Sequence, residues 1–283
     1  MTVDEWLKRA SNELADAVIP SARLDAELIL AHTVGHPRPW LHAHGDDEID
    51  ERHIEIANAR IDLRLDRVPI AYILGHKWFY GRRFEVNTHT LIPRPESEQL
   101  IELLNKLFIQ SSLLKQAIRV VDVGTGSGCL GITTKLEHPE LDVTLVDTSK
   151  QALAVAEKNA QALGANVTLL ESNLLINYPF TPDIVLANLP YVDQTWQRSD
   201  ETNYEPPEAL FADHHGLALI ERCFDECSYR MKSGHLILEA DPRQWANIVK
   251  VAAKYGFQKV EQPSLRHFLR VMLLSRPQAS TFS

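Results

Sequence analysis

Up to about residue 76 the apolar positions recur at helical spacing. In S-A-R-L-D-A-E-L-I-L-A-H-T-V-G, Leu24, Leu28 and Ala31 or His32 fall on one face, with Ser21 placed as an N-cap and Gly35 as a C-cap. A second helix is predicted over residues 50–65, after the loop at Gly45-Asp46-Asp47. Residues 77–93 change character. Aromatic and β-branched residues flank Gly81 and Asn87, the pattern of a hairpin or extended connector. P-R-P-E-S-E-Q-L-I-E-L-L then opens a helix, with Pro95 suited to its first turn and Glu96 and Glu98 to its positive end.

From Arg119 the period alternates between strand and helix. R-V-V-D-V, D-V-T-L-V-D, N-V-T-L-L-E-S and D-I-V-L-A read as four strands. The helix S-K-Q-A-L-A-V-A-E-K-N-A-Q-A-L-G, capped by Ser149 and stopped by Gly164, lies between the second and third. A helix over residues 217–231, the strand H-L-I-L-E-A, a helix over 243–255 and strand-like pieces around Lys259 and over 268–274 follow. Such alternation predicts an α/β fold with a mainly parallel, doubly wound sheet, its last two strands paired antiparallel because their connection is short.

Composition narrows the function classes. The 283 residues are 45% hydrophobic and 24% charged, as in a globular protein, and the formal net charge is −9. That charge argues against a general nucleic-acid binder, which needs a basic face. Three cysteines, Cys129, Cys223 and Cys227, give no disulfide framework; the last two stand four apart on a helical pattern and read as small core residues. The histidines between His32 and His53 lack ligand spacing, so no metal site is expected. The start M-T-V-D-E-W carries acidic residues and no apolar h-region, and no apolar run reaches about 18 residues, so the expectation is a cytoplasmic protein with no membrane span.

Two loops carry the chemistry. Gly124-Thr125-Gly126-Ser127-Gly128 follows the first strand of the alternating pattern, where ligands bind beyond strand ends, and Asp147 ends the second strand, where a carboxylate accepts ribose hydroxyls. Gly126 to Gly131 also satisfies G-x-G-x-x-G with Asp147 about 20 residues on, so a nicotinamide dinucleotide stays open beside S-adenosylmethionine. The glycine directly after the strand is Gly124, which favours the methyl donor. The second loop, Asn188-Leu189-Pro190-Tyr191, follows the fourth strand. A planar amide or aromatic amine is a poor nucleophile because its lone pair is delocalised. The Asn188 side-chain oxygen and the Leu189 carbonyl can accept its two N–H bonds, Tyr191 can stack on the flat group, and Pro190 holds Leu189 extended.

The segments P-I-A-Y-I-L-G, F-Y-G-R-R-F-E-V, L-I-P-R-P-E-S-E, D-V-G-T-G-S-G, N-L-P-Y and Y-E-P-P-E-A-L-F together resemble the protein-(glutamine-N5) methyltransferases that modify peptide chain release factors, over nearly the whole chain. The resemblance implies a small helical substrate-recognition domain (1–76), a β-hairpin connector (77–93) and a seven-stranded S-adenosylmethionine-dependent methyltransferase domain (94–283). It also implies cofactor contacts from Gly124 to Gly128, Asp147, Asn173, Leu174 and Asn188, with Asn188 to Tyr191 holding the substrate glutamine of a Gly-Gly-Gln loop. The implied partner is a peptide chain release factor, met by a monomer without nucleic acid. A ribosomal-protein glutamine, a nucleic-acid adenine or a cofactor-binding protein without turnover are the alternatives. Four departures stand out: Leu189 where the family usually has proline, Asn173 where it usually has aspartate, A-D-H-H-G at 212–216 in place of a glycine-rich stretch, and E-A-D-P in place of E-x-G near Glu239.

Overall fold

Thr2 accepts a hydrogen bond from the Glu5 amide while the Glu5 carboxylate accepts one from the Thr2 amide, and this reciprocal cap starts helix α1 (Val3–Asp16). The structure, a computed structural model, describes residues 1–110, 118–261 and 271–277. They form two units, Met1–His76 with Arg198–Tyr204, and Lys77–Gln197 with Glu205–Ser283.

In the first unit α1 is followed by α2 (Ala22–Val34), α3 (Arg38–Ala43), α4 (Glu51–Leu65) and α5 (Ile70–Leu74). Trp6, Leu7, Leu14, Ile29, Leu30 and Ile61 form its core. The face expected of α2 is only partly buried: Ala31 is buried as expected but Leu24 is 42% exposed, and the other buried positions are Ala26, Ile29 and Leu30 together with Asp25 and Glu27. Arginines explain the buried acids. Asp25 accepts from Arg64 Nε at 2.7 Å and Glu27 from Arg23 Nε at 2.7 Å and from Arg38. Burial opposes ionisation of Glu27, but the bonds from Arg38 and Arg23 outweigh it and hold its carboxyl below the usual range. Ser21 does not cap α2, because its hydroxyl donates to Asp25 instead. Arg64 also donates to Glu201, and Tyr204 to the Asp66 carbonyl, so Arg198–Tyr204 is tied into the helical unit.

The second unit begins in a hairpin, β1 (His76–Phe79) and β2 (Arg82–Glu85). Tyr80 and Gly81 both have positive φ (49° and 72°), the two-residue turn whose twist suits a hairpin. A 3-10 turn at Pro95–Ser97 leads into α6 (Glu98–Gln110). Then follow β3 (Arg119–Val123), α7 (Cys129–Glu137), β4 (Asp142–Asp147), α8 (Lys150–Leu163), β5 (Thr168–Glu171) and β6 (Ile184–Ala187). The chain continues through single turns α9 (Pro207–Leu210) and α10 (Asp213–Gly216) to α11 (Ala218–Arg230), β7 (Gly234–Glu239), α12 (Trp245–Lys254), β8 (Gln258–Glu261) and β9 (Val271–Arg276). Of the last predicted strand, residues 268–270 lie outside the described residues.

The seven-stranded sheet has the order β5-β4-β3-β6-β7-β9-β8, parallel except for β9, which runs antiparallel to both neighbours. Both faces are covered. Val121, Val123, Val185, Ala187, Leu236 and Leu238 join the core that includes α11 and α12; Val120, Ile184, Leu186 and Ile237 join the one that includes α6, α7 and α8. Burial on both faces is why these strands read as unbroken apolar runs. Cys223 and Cys227 lie buried in the first of these cores. No helix among the described residues is long and apolar enough to cross a membrane.

Candidate active site

The strand order reverses between β3 and β6, and the crevice beyond the carboxyl ends of such strands is where doubly wound folds bind ligands. A cleft opens there, with about 1040 Å³ of non-atom space continuous with solvent. Gly124 to Ser127, Asp147, Asn173, Leu174 and Asn188 to Pro190 all line it. Gly128 and Tyr191 do not. Gly128 caps α7 in a left-handed conformation (φ 82°), donating its N–H to the Thr125 carbonyl at 2.9 Å.

The glycine loop is held from below and from the side. Asp122, wholly buried, accepts from Thr125 Oγ1 at 2.6 Å and from the Gly131 N–H at 2.9 Å. Burial nevertheless pushes its carboxyl up to about 6, the two hydrogen bonds resisting and the charge of Asp147 assisting. Asp147 accepts from the Gly126 N–H and the Ser149 N–H, both at 2.9 Å. Gly126 has φ 55°, and a Cβ there would meet no protein atom within 4 Å, so this stretch of backbone faces open space where a bound group can approach. Gly131 is different: a Cβ would lie 2.1 Å from Leu145, so its role is close packing of α7 on the sheet. Cys129 also lines the cleft. Burial, with help from the Asp122 charge, pushes its thiol up to about 12, so it stays protonated and is no nucleophile.

Beyond β6, Asn188 Nδ2 donates to Ser97 Oγ at 3.1 Å. Tyr191, expected to stack on a flat substrate group, is partly buried against the core, and its hydroxyl donates to Glu239 Oε1 at 3.1 Å. Asn173 Oδ1 accepts from Arg222 at 3.2 Å, and Leu174 holds a left-handed φ of 52°. The far wall was not anticipated from sequence. Thr90, Leu91, Pro93 and Ser97 come from the T-L-I-P-R-P-E-S stretch, and Pro206, Glu208 and Ala209 from E-P-P-E-A. Glu205 joins the two: its buried carboxylate accepts from the Ile92 N–H at 3.0 Å and from the Arg94 guanidinium. The signal for this pairing was the co-occurrence of the two segments. No three His, Cys, Asp or Glu among the described residues stand together as metal ligands would.

Residues 5–75 match the family model of the PrmC N-terminal domain and residues 97–204 that of the methyltransferase small domain. A release factor glutamine methyltransferase of Neisseria gonorrhoeae is 34% identical over 280 residues, 96% of this chain and 97% of that one. That of Enterococcus faecalis is 38% identical over 225 residues, 78% and 79% of the two chains. The chain belongs to the release factor glutamine methyltransferase family. It is a methyltransferase, which speaks against the nicotinamide dinucleotide left open for the glycine loop. The crystal structure of a methyltransferase from Pyrococcus furiosus, 16% identical, superposes over 77% of this chain and 95% of its own with a TM-score of 0.51, a likeness of fold.

The departures from the pattern of the release factor glutamine methyltransferases are accommodated locally. Leu189 is 3% exposed and packs over Gly124, so the side chain that replaces a proline ties the β6 loop to the glycine loop. His214 and His215 take up the left-handed conformations (φ 54° and 57°) that glycines adopt without strain. Gln244 compensates, its Nε2 donating to the carbonyls of both His215 and Tyr191 at 2.8 Å. In the E-A-D-P stretch Asp241 caps the turn that carries Gln244, accepting from the Arg243 N–H while its own N–H donates to Gln244. Gly216 must remain glycine, since a Cβ would stand 2.0 Å from the Tyr191 carbonyl oxygen.

Proposed function

We propose that this chain transfers a methyl group from S-adenosylmethionine to the side-chain amide nitrogen of the glutamine in the Gly-Gly-Gln motif of a peptide chain release factor, in the cytoplasm. The observation that carries the reading is one cleft in which the glycine loop, Asp147 and the acceptor-bearing Asn188 loop converge. Names of relatives sharing most of their length with this chain support the substrate class. The cleft fits the donor. Gly126 leaves its backbone open to approach, and the Asp147 carboxylate, with one backbone bond to each oxygen, keeps lone pairs for ribose hydroxyls. Asn173 and Leu174 would flank the same group. When bound, S-adenosylmethionine supplies an electrophilic methyl on a sulfonium that departs as a thioether.

The protein's part is positioning, the main lever when an unreactive nitrogen must attack in line. Asn188 Oδ1 and the Leu189 carbonyl accept the two amide N–H bonds, which aims the nitrogen lone pair out of the amide plane and toward the methyl. The nitrogen–methyl bond forms as the sulfur–methyl bond breaks. The nitrogen becomes acidic only then, and its extra proton passes to water, so no strong base is needed beforehand. The alternatives, a ribosomal-protein glutamine or an adenine, gain no specific support from the geometry.

The test is methyl transfer from labelled S-adenosylmethionine to a purified release factor. Label is expected on the wild-type factor, and it is expected to disappear when the Gly-Gly-Gln glutamine is changed to alanine or the enzyme carries Asn188→Ala. Cofactor binding without label on any release factor would overturn the substrate assignment.

A further inference from the structure

A backbone carbonyl can aim a substrate only as well as its peptide plane is held. The plane at Leu189 lies between two anchors. The entry is β6, which ends at Ala187, and Pro190 then restricts the backbone by its fixed φ. The exit is tied at two successive residues. Val192 donates its N–H to the Leu210 carbonyl at 3.0 Å and accepts from the Ala212 N–H at 3.3 Å, and the Tyr191 carbonyl accepts from Gln244 Nε2 at 2.8 Å. The Leu189 carbonyl has no hydrogen-bond partner of its own among the described residues, so its direction is inherited from these neighbours.

The contacts of Gln244 fix which end of its amide is which. Nε2 faces the carbonyls of Tyr191 and His215, which can only accept, and Oε1 faces the Asp241 N–H, which can only donate. Turning the amide over would break all three bonds. Gln244 is 4% exposed, and its own N–H donates to the Asp241 carbonyl at 2.9 Å, so the side chain grows from a capped, buried turn. On the far side, His215 holds its left-handed backbone, and Gly216 passes too close to the Tyr191 carbonyl for any side chain to stand between them. Gln244 does not line the cleft.

We propose that Gln244 is a positioning residue of this active site: its buried amide pins the Tyr191 carbonyl to the turn at His215 and so holds the peptide that carries the Leu189 acceptor. The inference rests on the acceptor role of the Leu189 carbonyl proposed above. Gln244 touches neither substrate nor methyl donor in this scheme and acts through the backbone of Tyr191.

The experiment compares wild type with Gln244→Leu, which removes both donors at similar volume, and Gln244→Glu, which keeps the shape. In methyl transfer, kcat per folded molecule is expected to fall about tenfold in Gln244→Leu, the worth of one good hydrogen bond. The Kd for S-adenosylmethionine should stay within about threefold of wild type, because Gly126 and Asp147 stand at the ends of other strands. Gln244→Glu can donate to a carbonyl while its carboxyl is protonated, so at about pH 6 it should lose less than Gln244→Leu, as a donor requires and a space-filling role does not. Ile248→Val, a core change on α12 that leaves the Gln244 hydrogen bonds in place, controls for general loosening and should keep kcat within about twofold. A Gln244→Leu kcat within about twofold of wild type, a loss confined to cofactor affinity, or a Gln244→Glu enzyme no better than Gln244→Leu at that pH overturns the proposal.

A second readout needs no substrate. Tyr191 is the only tyrosine of the chain followed by valine, so carbonyl-carbon-13 tyrosine combined with nitrogen-15 valine gives a single signal, from the peptide between Tyr191 and Val192. That signal should move in Gln244→Leu and stay in place in Ile248→Val. If no release factor is labelled even by the wild-type enzyme, the functional reading fails while this signal still decides whether Gln244 holds the loop; a signal unmoved in Gln244→Leu, or moved as far in Ile248→Val, would refute it.

Discussion

Replacing Glu205 by glutamine removes one charge and almost no volume, and it tests how the cleft is held together. Each carboxylate oxygen has its own donor, Oε2 the Ile92 N–H at 3.0 Å and Oε1 the Arg94 guanidinium. An amide has only one oxygen, so in Glu205→Gln one of the two donors must face an NH₂ group. The Glu205 side chain is 2% exposed and water cannot repair the mismatch there, whereas that of Arg94 is 34% exposed and recovers part of its loss from solvent. A hydrogen bond to a charged group is worth about 1.5–3 kcal/mol, and the exposure of Arg94 discounts it, leaving about 2 kcal/mol. The sensitive assay is hydrogen exchange at the Ile92 amide, where that energy corresponds to a fall in protection of about 30-fold. Affinity for S-adenosylmethionine should weaken in parallel, because Glu205 holds together the segments that supply Thr90, Pro93, Pro206 and Ala209 to the cleft wall. Glu208→Gln, an exposed carboxylate on the same cleft, is the control and should leave Ile92 protection unchanged. Unaltered exchange at Ile92 in Glu205→Gln would refute the clasp.

Two further outcomes follow from the site. Asp122 is pushed from 3.8 up to about 6 chiefly by burial, so between those values the folded state holds a proton that the unfolded chain has released. Stability contributed by this group is therefore fully present below about pH 4 and is lost as pH rises through 6, by roughly 3 kcal/mol; Asp122→Asn should remove that slope, and parallel melting curves for the two proteins from pH 4 to 7 would contradict it. Tyr191→Phe keeps the ring and deletes the bond to Glu239, so a tether predicts a loss of about 2 kcal/mol in urea unfolding together with a lower kcat. Unchanged values in both measurements would refute the tether and leave Tyr191 with stacking alone.

What could be read along the chain was whatever depends on neighbours in sequence. The Ser149 cap, whose oxygen accepts from the Ala152 N–H at 3.1 Å, and the left-handed Gly164 stop of α8 are local events, as are the strands whose burial on both faces makes them continuous apolar runs. The α2 stripe was partly misplaced because periodicity assigns charged residues to water, and Asp25 and Glu27 are paired with arginines that lie up to 39 residues away. Local pattern also left Ser21 as a cap, since nothing in its immediate neighbours reveals that Asp25 competes for its hydroxyl.

The site divides along the same line. Glycines after β3, a carboxylate at the end of β4 and an amide after β6 are each legible because a parallel sheet brings strand ends together whatever the intervening sequence. What the amide leans on is not legible, because its partner is a serine 91 residues earlier, and the wall that carries the serine depends on a glutamate 111 residues beyond Arg94. The motifs L-I-P-R-P-E and E-P-x-x-A-L carried more information than the glycine loop for this reason. A glycine loop satisfies one backbone turn and recurs in many cofactor sites, whereas Arg94 satisfies the buried carboxylate of Glu205, and loss of the arginine would strand that charge. The same reasoning explains how Leu189 is tolerated. The carbonyl proposed to accept a substrate N–H belongs to the backbone, and the side chain is free to vary provided it fills the space over Gly124, which a buried leucine does.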